Sequence, residues 1–437
     1  MGVAKRYVAD GLAVLLRIAL FQVGWSSVLQ KRVEIVTPAN SYHKVLHGLR
    51  LWSLTGSAYG GDNFHEPPLV VRLFDLITLG GSTDWIVAVL FALLDVAAAS
   101  LLGAAADAAV RSMTATTTAE SEKDIRRELE LAAVVPVHTD AANVAQLVKL
   151  CYLFGPPSLL SCAALTTTTL QNFTIAVVFW ATASDRRWIA LSALGLATYH
   201  TVYPALLIPA VALQFSQAKD EERFPWARLG ANLAIATTFV LALIGASYWL
   251  EGSWEFLTST YLFLFRVPDL TPNVGIFWYF FTEVFDHFRV FFLWVFQLNL
   301  LIYVVPLAIC LRRDPPLLAQ IVLMLTAVFK PYPSVGDIAV CFALLPVWRH
   351  LLPFVRHGLF VGCALICCFA LGPVMWQLWI YAGSANANFF FAITLVYNTA
   401  LIFLLTDLLY ARLRLDVHLR AGLKPLIDGK EAKVILD

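Results

Sequence analysis

The sequence predicts an all-α protein, a polytopic transmembrane helix bundle of about eleven to thirteen spans. Three observations carry that prediction. Of 437 residues, 59% are hydrophobic and only 14% are charged, against about 25% charged in an ordinary soluble domain. Mean hydropathy is +0.72. Long apolar stretches recur at 7–29, 84–105, 229–250, 287–311, 358–380 and 389–411, and each is long enough for a helix to cross the hydrocarbon layer. A soluble chain of this length would bury a large core, but it would still need a polar surface that this sequence lacks.

The elements follow in chain order. Lys5-Arg6 precedes an apolar run from Tyr7 to Leu29. No small-x-small site ends that run, so it reads as a retained first span. Shorter apolar stretches lie at 68–80, 148–166, 168–183, 187–214, 317–329 and 335–348. Several are interrupted, at Gly155-Pro156-Pro157 and Tyr203-Pro204 for example. A bilayer tolerates such breaks only where protein or a wet cavity satisfies the freed backbone. Two polar connections are long, 30–67 and 106–145. The second carries a charged run from Glu120 to Glu130 and reads as a solvated helix and linker. Arg17, Arg72, Asp75 and Asp95 sit inside apolar runs, so they are expected to face the bundle interior and find partners there.

Lys and Arg in short loops set the orientation. Basic loops at Lys219–Arg228, Arg312-Arg313 and Arg349–His357, with Arg412, Arg414 and Arg420, place one set of connections in the cytosol together with Lys5-Arg6. The chain is therefore one multi-spanning domain over 1–437. Residues 30–67 form a luminal loop, 106–145 a cytosolic loop and 412–437 a cytosolic tail, and both termini are cytosolic. The breaks at 252–275, 331–337 and 381–388 share the far side.

Net charge is +1, which gives no field to hold a nucleic acid. The seven cysteines, Cys151, Cys162, Cys310, Cys341, Cys363, Cys367 and Cys368, lie mostly in apolar stretches. They show no metal spacing and no histidine-paired setting for a nucleophile. No metal or cofactor is expected.

Four segments can carry chemistry. In 277–296, eleven of twenty residues are aromatic, and Pro268, Asp269, Pro272, Asn273 and Gly275 mark a turn-rich approach. Phe277, Trp278 and Tyr279 open this run, and aromatic rings favour the membrane interface. Glu283 and His287 are four residues apart, and Asp286 and Arg289 three, so each pair can meet on one helical face. The segment is an interfacial anchor with local ion pairs, or a site for a lipid headgroup or acyl chain. The second segment, 379–390, separates two strong spans. Asn386 and Asn388 suit sugar hydroxyls and phosphate oxygens, while an ordinary capped turn uses the same residues. In the third, Lys330 and Asp337 flank a proline-rich turn, where they pair or where Asp337 caps the next helix. In the fourth, His65-Glu66 is an acid/base pair or a held surface turn.

These residues resemble the PIG-U family, the class U subunit of the glycosylphosphatidylinositol (GPI) transamidase. The stretches that carry the likeness are Phe-Trp-Tyr-Phe-Phe-Thr-Glu-Val-Phe-Asp-His-Phe (277–288) and Trp-Ile-Tyr-Ala-Gly-Ser-Ala-Asn-Ala-Asn-Phe-Phe (379–390). Val-Pro-Asp-Leu-Thr-Pro-Asn (267–273), Tyr-Pro-Ser-Val-Gly-Asp (332–337), Phe-His-Glu-x-Pro-Leu (64–69) and Ala-Thr-Tyr-x-x-x-Tyr-Pro (197–204) agree. The resemblance covers nearly the whole chain and is weakest in 106–145. It implies a multi-pass protein of the endoplasmic reticulum membrane and a complex that replaces a precursor's C-terminal signal with a GPI lipid. The catalytic cysteine and histidine of that complex belong to a caspase-like partner subunit. The resemblance also implies membrane and luminal partner subunits, and the GPI glycolipid or the precursor signal as ligand. In this reading Asn386 and Asn388 bond glycan or phosphate, Asp269 and Asn273 shape the entrance, and the belt 277–296 borders the lipid tails. Asp337, His65, Glu283 and His287 lend structural or ligand support.

The implied fold resembles dolichol-phosphate-mannose-dependent mannosyltransferases, so an active mannosyltransferase is the rival. Such enzymes carry an acidic motif in the first luminal loop. Here that loop begins Lys31-Arg-Val-Glu-Ile-Val-Thr-Pro38, with Glu34 alone, and Asp62 and Glu66 follow only later. A transporter would place charge at the bilayer midplane, whereas the polar residues here gather at the rim. A scaffold without lipid contact is the remaining alternative.

Overall fold

The computed structural model of the chain describes residues 3–78, 84–121, 140–216, 225–421, 426–427 and 430–431. Nearly all of this is helix, with one two-residue antiparallel pair, Leu426–Ile427 with Lys430–Glu431. Residues 122–130 of the charged run, Lys219 and the tail beyond 431 lie outside the described residues.

The helices are α1 (Val3–Gln22), α2 (Trp25–Leu29), α3 (Tyr42–Thr55), α4 (Pro68–Thr78), α5 (Asp84–Ser121), α6 (Ala141–Phe154) and α7 (Pro156–Ala163). Then come α8 (Thr168–Ala183), α9 (Arg187–His200), α10 (Ile208–Ser216), α11 (Trp226–Glu251), α12 (Phe263–Arg266), α13 (Phe277–Glu283) and α14 (Asp286–Cys310). The last are α15 (Pro315–Phe329), α16 (Ala339–Leu344), α17 (Gly358–Trp376) and α18 (Ala387–Ala421). Among the described residues six helical segments are long and apolar enough to cross a membrane: Asp84–Met113, Trp226–Glu251, Asp286–Cys310, Val335–Phe354, Gly358–Tyr381 and Ala387–His418. Three shorter apolar helices, Ala141–Phe154, Tyr203–Ser216 and Pro315–Phe329, stand beside them.

Local chemistry explains where the helices stop. The expected span 7–29 breaks at Gly24, whose φ of 84° is left-handed and open to glycine at no steric cost. The run 148–166 breaks at Gly155, which Pro156 pushes to an extended conformation. Pro156 and Pro157 then open α7, where the missing N–H groups are harmless. The Ser158 hydroxyl donates to the freed Tyr152 carbonyl. Asp314 caps α15, accepting from the Leu317 N–H at 3.4 Å.

α5 lies at the centre, packed on α1, α6 and α8, while α9 rests on α8 and α11, and α17 on α18. The buried Arg17 and Asp95 are paired, as a low-dielectric interior requires, while the half-buried Asp75 has no hydrogen bond or ion pair among the described residues. Arg17 donates to Asp95 at 2.9 Å, and Tyr152 adds a hydrogen bond to the same carboxylate at 3.1 Å. Lys149 pairs with Asp10 at 2.7 Å. Arg72 stacks over Trp52 at 3.9 Å. By contrast, only 11% of the apolar windows of α11 and of α14 is buried. These two helices turn their faces outward.

The connections sort to two ends. At one, the Val335 N–H donates to the Glu34 carbonyl at 2.9 Å, Thr167 N–H to Asn40 carbonyl at 3.1 Å, and the Asn172 amide to Gly336 carbonyl at 3.1 Å. At the other, Arg412 pairs with Asp314 at 2.8 Å, His357 with Asp407 at 2.9 Å, and Arg356 with the Tyr410 hydroxyl.

Candidate functional site: an amide and aromatic rim

Three elements build the rim. α13 supplies Trp278 and Tyr279; the end of α17 and the π-helical turn Gln377–Tyr381 supply Trp376 and Trp379; the start of α18 supplies Phe390 and Phe391. Tyr279 stacks on Phe391 with centroids 4.2 Å apart, and Trp376 meets Phe390 edge-on at 5.3 Å. Trp278 lies 6.2 Å from both Trp379 and Phe390. Val33, from the first polar loop, packs against the cluster. The turn closes where the Ser384 N–H donates to Leu378 carbonyl at 2.9 Å, with Gly383 left-handed at φ 62°.

Asn386 and Asn388 sit exposed on this aromatic floor. The Asn386 side-chain oxygen accepts the Asn388 N–H at 3.0 Å, and the Tyr279 hydroxyl donates to the Asn388 side-chain oxygen. Both amide oxygens are thereby used internally. Among the described residues both NH₂ groups are without partners, which leaves four N–H donors at a neutral surface. The sequence suggested these residues separately, and the fold brings Tyr279, Asn386 and Asn388 together.

Asp269 and Asn273 form a second, adjacent group. The Asp269 carboxylate accepts the Thr271 N–H at 2.9 Å and faces Lys44 at 3.6 Å. Asn273 is fully buried, so it shapes the loop from within: its side-chain oxygen accepts the Gly275 N–H at 2.8 Å. Gly275 lies so close to Pro333 that an added Cβ would approach its ring to 2.6 Å. Phe277 is buried in the main core, against Phe296 at 5.0 Å, and is no part of an outward belt.

The supporting residues divide. Asp337 does both things expected of it, pairing with Lys330 at 2.6 Å and capping the turn through the Ser334 N–H at 2.6 Å. Glu283 and His287 do not share a helical face. Val284 and Phe285 are extended, so Glu283 closes α13 and His287 belongs to α14. Arg289 turns instead to the Val267 carbonyl at 2.7 Å. His65 does not work with Glu66. Its Nδ1 bonds the Ser259 carbonyl at 2.8 Å and its ring stacks on Phe263 at 3.5 Å. Burial pushes the His65 pKa down to about 4. Glu66 is buried and accepts from Thr167 at 2.6 Å, with the His200 ring at 3.0 Å.

Sequence reasoning missed Thr167, His200 and Asn398. The buried Asn398 amide donates to the Val274 carbonyl at 2.7 Å, tying α18 to the loop beneath the rim. An amide inside the apolar run 389–411 was the available signal.

Taken together, the chain is a multi-pass helical membrane protein whose breaks form a neutral, aromatic-backed rim of hydrogen-bond donors. Comparison with known proteins narrows this class to a family. The profile of the GPI transamidase subunit PIG-U family matches residues 11–397. The human "GPI-anchor transamidase component PIGU" is 36% identical over 434 residues, covering 97% of this chain and 98% of the human one. The Saccharomyces cerevisiae "GPI transamidase component GAB1" is 27% identical, covering 89% of each chain. The chain belongs to the PIG-U family.

Proposed function

We propose that the chain is a non-catalytic subunit of a GPI transamidase in the endoplasmic reticulum membrane, where its rim faces the lumen and holds the GPI lipid for transfer. The relatives bear that component name. The observation that carries the lipid role is the pair Asn386 and Asn388, held by Tyr279 with all four amide hydrogens free among the described residues. Neutral amides over stacked rings match glycan hydroxyls and phosphate oxygens at headgroup depth. The exposed face of α14, with Phe288, Phe291 and Trp294, supplies the apolar border for acyl chains. The catalytic cysteine and histidine belong to a caspase-like partner, with further membrane and luminal subunits around the precursor signal. Both termini of this chain lie in the cytosol, as does the tail from 412.

The rival transferase chemistry needs a free acidic pair in the first loop. Glu34 is instead engaged by Arg32 at 2.7 Å. The decisive experiment is the double variant Asn386→Ala, Asn388→Ala. Transamidation in cells lacking the native subunit should fall about tenfold or more, the loss of two or more hydrogen bonds to a polar ligand, while co-purification of the complex is unchanged. Full activity of that variant rules out the headgroup role.

A further inference from the structure

A cavity of ≈ 450 Å³ opens where α1, α2 and α3 meet the first turn of α5. It shares no residue with the aromatic rim. Its size falls in the range of small-ligand sites. Two left-handed residues shape its wall, Gly24 at φ 84° and Leu165 at φ 57°. A non-glycine residue in that region is unusual, and such conformations cluster at functional sites.

The polar lining is chemically specific. Gln30 and Ser27 are occupied locally, Gln30 with Ser26 at 3.3 Å and Ser27 with the Gly24 carbonyl at 2.8 Å. Lys31 and His43 are exposed, and among the described residues neither side chain has a hydrogen bond or ion pair. One Asp84 oxygen accepts from the Tyr42 hydroxyl at 3.0 Å, and the other has no partner among the described residues. Lys31 and Asp84 line one cavity without forming a salt bridge to each other. An ammonium, an imidazole and a carboxylate are thus held around one space with capacity to spare. A ligand that uses them all carries an anion and a cation together. Depth gives the source, since Asp84 begins the spanning segment Asp84–Met113. The cavity sits where headgroups lie.

We propose that this cavity binds a phosphate ester bearing a primary ammonium, the chemistry of an aminophospholipid headgroup. Lys31 and His43 hold the phosphate oxygens and Asp84 holds the ammonium. The site is separate from the rim and does not depend on the rim's role.

The test uses the purified full chain in nanodiscs. Soluble O-phosphoethanolamine is titrated in one arm. In the other, a photoactivatable phosphatidylethanolamine is cross-linked and its position mapped. Saturable binding, or cross-links within 24–31 or at 84, supports the site. Lys31→Gln and Asp84→Asn should each weaken it about tenfold, and Lys31→Arg should retain most of it. A phosphatidic acid probe, which lacks the ammonium, should respond to Lys31→Gln and not to Asp84→Asn. Cross-linking by the lipid, with or without binding of the soluble compound, assigns the bilayer lipid as occupant. Binding of the soluble compound alone assigns a free phosphoamine. Neither, or binding indifferent to both substitutions in monodisperse protein, overturns the proposal. Lys31 is at the surface and Asp84 half-buried, so folding of both variants is checked by their unfolding midpoints.

Discussion

At the scale of single residues, His65 shows how burial turns a surface-type side chain into a pH-dependent support. Its ring lies flat on Phe263, with Nδ1 at the Ser259 carbonyl and Nε2 buried without a partner. Its folded pKa of about 4 lies below the ordinary value of 6.5, so the native ring is neutral. The unfolded chain takes up a proton below about pH 6.5, and the native chain only near pH 4. The stabilisation is therefore complete above about 6.5 and lost as pH falls toward about 4, on the order of 3 kcal/mol across that window. His65→Phe keeps the stack and removes the titration. Its unfolding midpoint in detergent should fall less than the parent's between pH 7.5 and 4.5, and equal pH slopes would contradict this account. Adjacency in sequence suggested His65 and Glu66 as a pair. Their side chains diverge, and Glu66 finds His200 at the end of α9 and Thr167 in the turn before α8, both distant in sequence. No local pattern encodes such a meeting.

At the scale of elements, the rim depends on how one loop is seated. Asn273 folds it, Asn398 pins its Val274 carbonyl, and Gly275 lets it lie on Pro333. A proline ring cannot rotate away, so Gly275→Ala forces the loop to shift, at a cost of about 1–3 kcal/mol. The variant should show a lower unfolding midpoint and weaker GPI cross-linking at the rim, and a midpoint equal to the parent's would show that the loop has slack. Hydrophobic runs and the interruptions at Gly155-Pro156-Pro157 and Tyr203-Pro204 were plain in the sequence, because both are local signals, whereas the break at Gly24 inside the run 7–29 was not. Nor was the break at Val284 and Phe285. Nothing but aromatic and β-branched residues marks it, and these suit a helix in lipid as well as an extended turn. That is why Glu283 and His287 read as helical neighbours and are not.

For the whole molecule, the two clustered ends give a direct topological expectation. A glycosylation sequon inserted near Asp62 should be modified in the endoplasmic reticulum, and one inserted near His357 should not. The reverse pattern would invert the proposed orientation. The proposed division rests on the basic loops, a signal that depends on charge counts alone. The rim needed more. Tyr279 and Asn388 are 109 positions apart, and only tertiary packing joins them.

The rim carries no formal charge in Tyr279, Asn386 or Asn388. The grip on a glycan proposed for it would therefore rest on short-range dipoles, which dissolved ions barely screen. Cross-linking of GPI at Asn386 and Asn388 should hold steady from about 0.05 to 0.5 M salt, a range that shortens the screening length roughly threefold. A contact that ignores ionic strength selects by shape and hydroxyl pattern. Among the many anionic headgroups of a membrane, a rim that works in the proposed way would favour the one that brings a sugar.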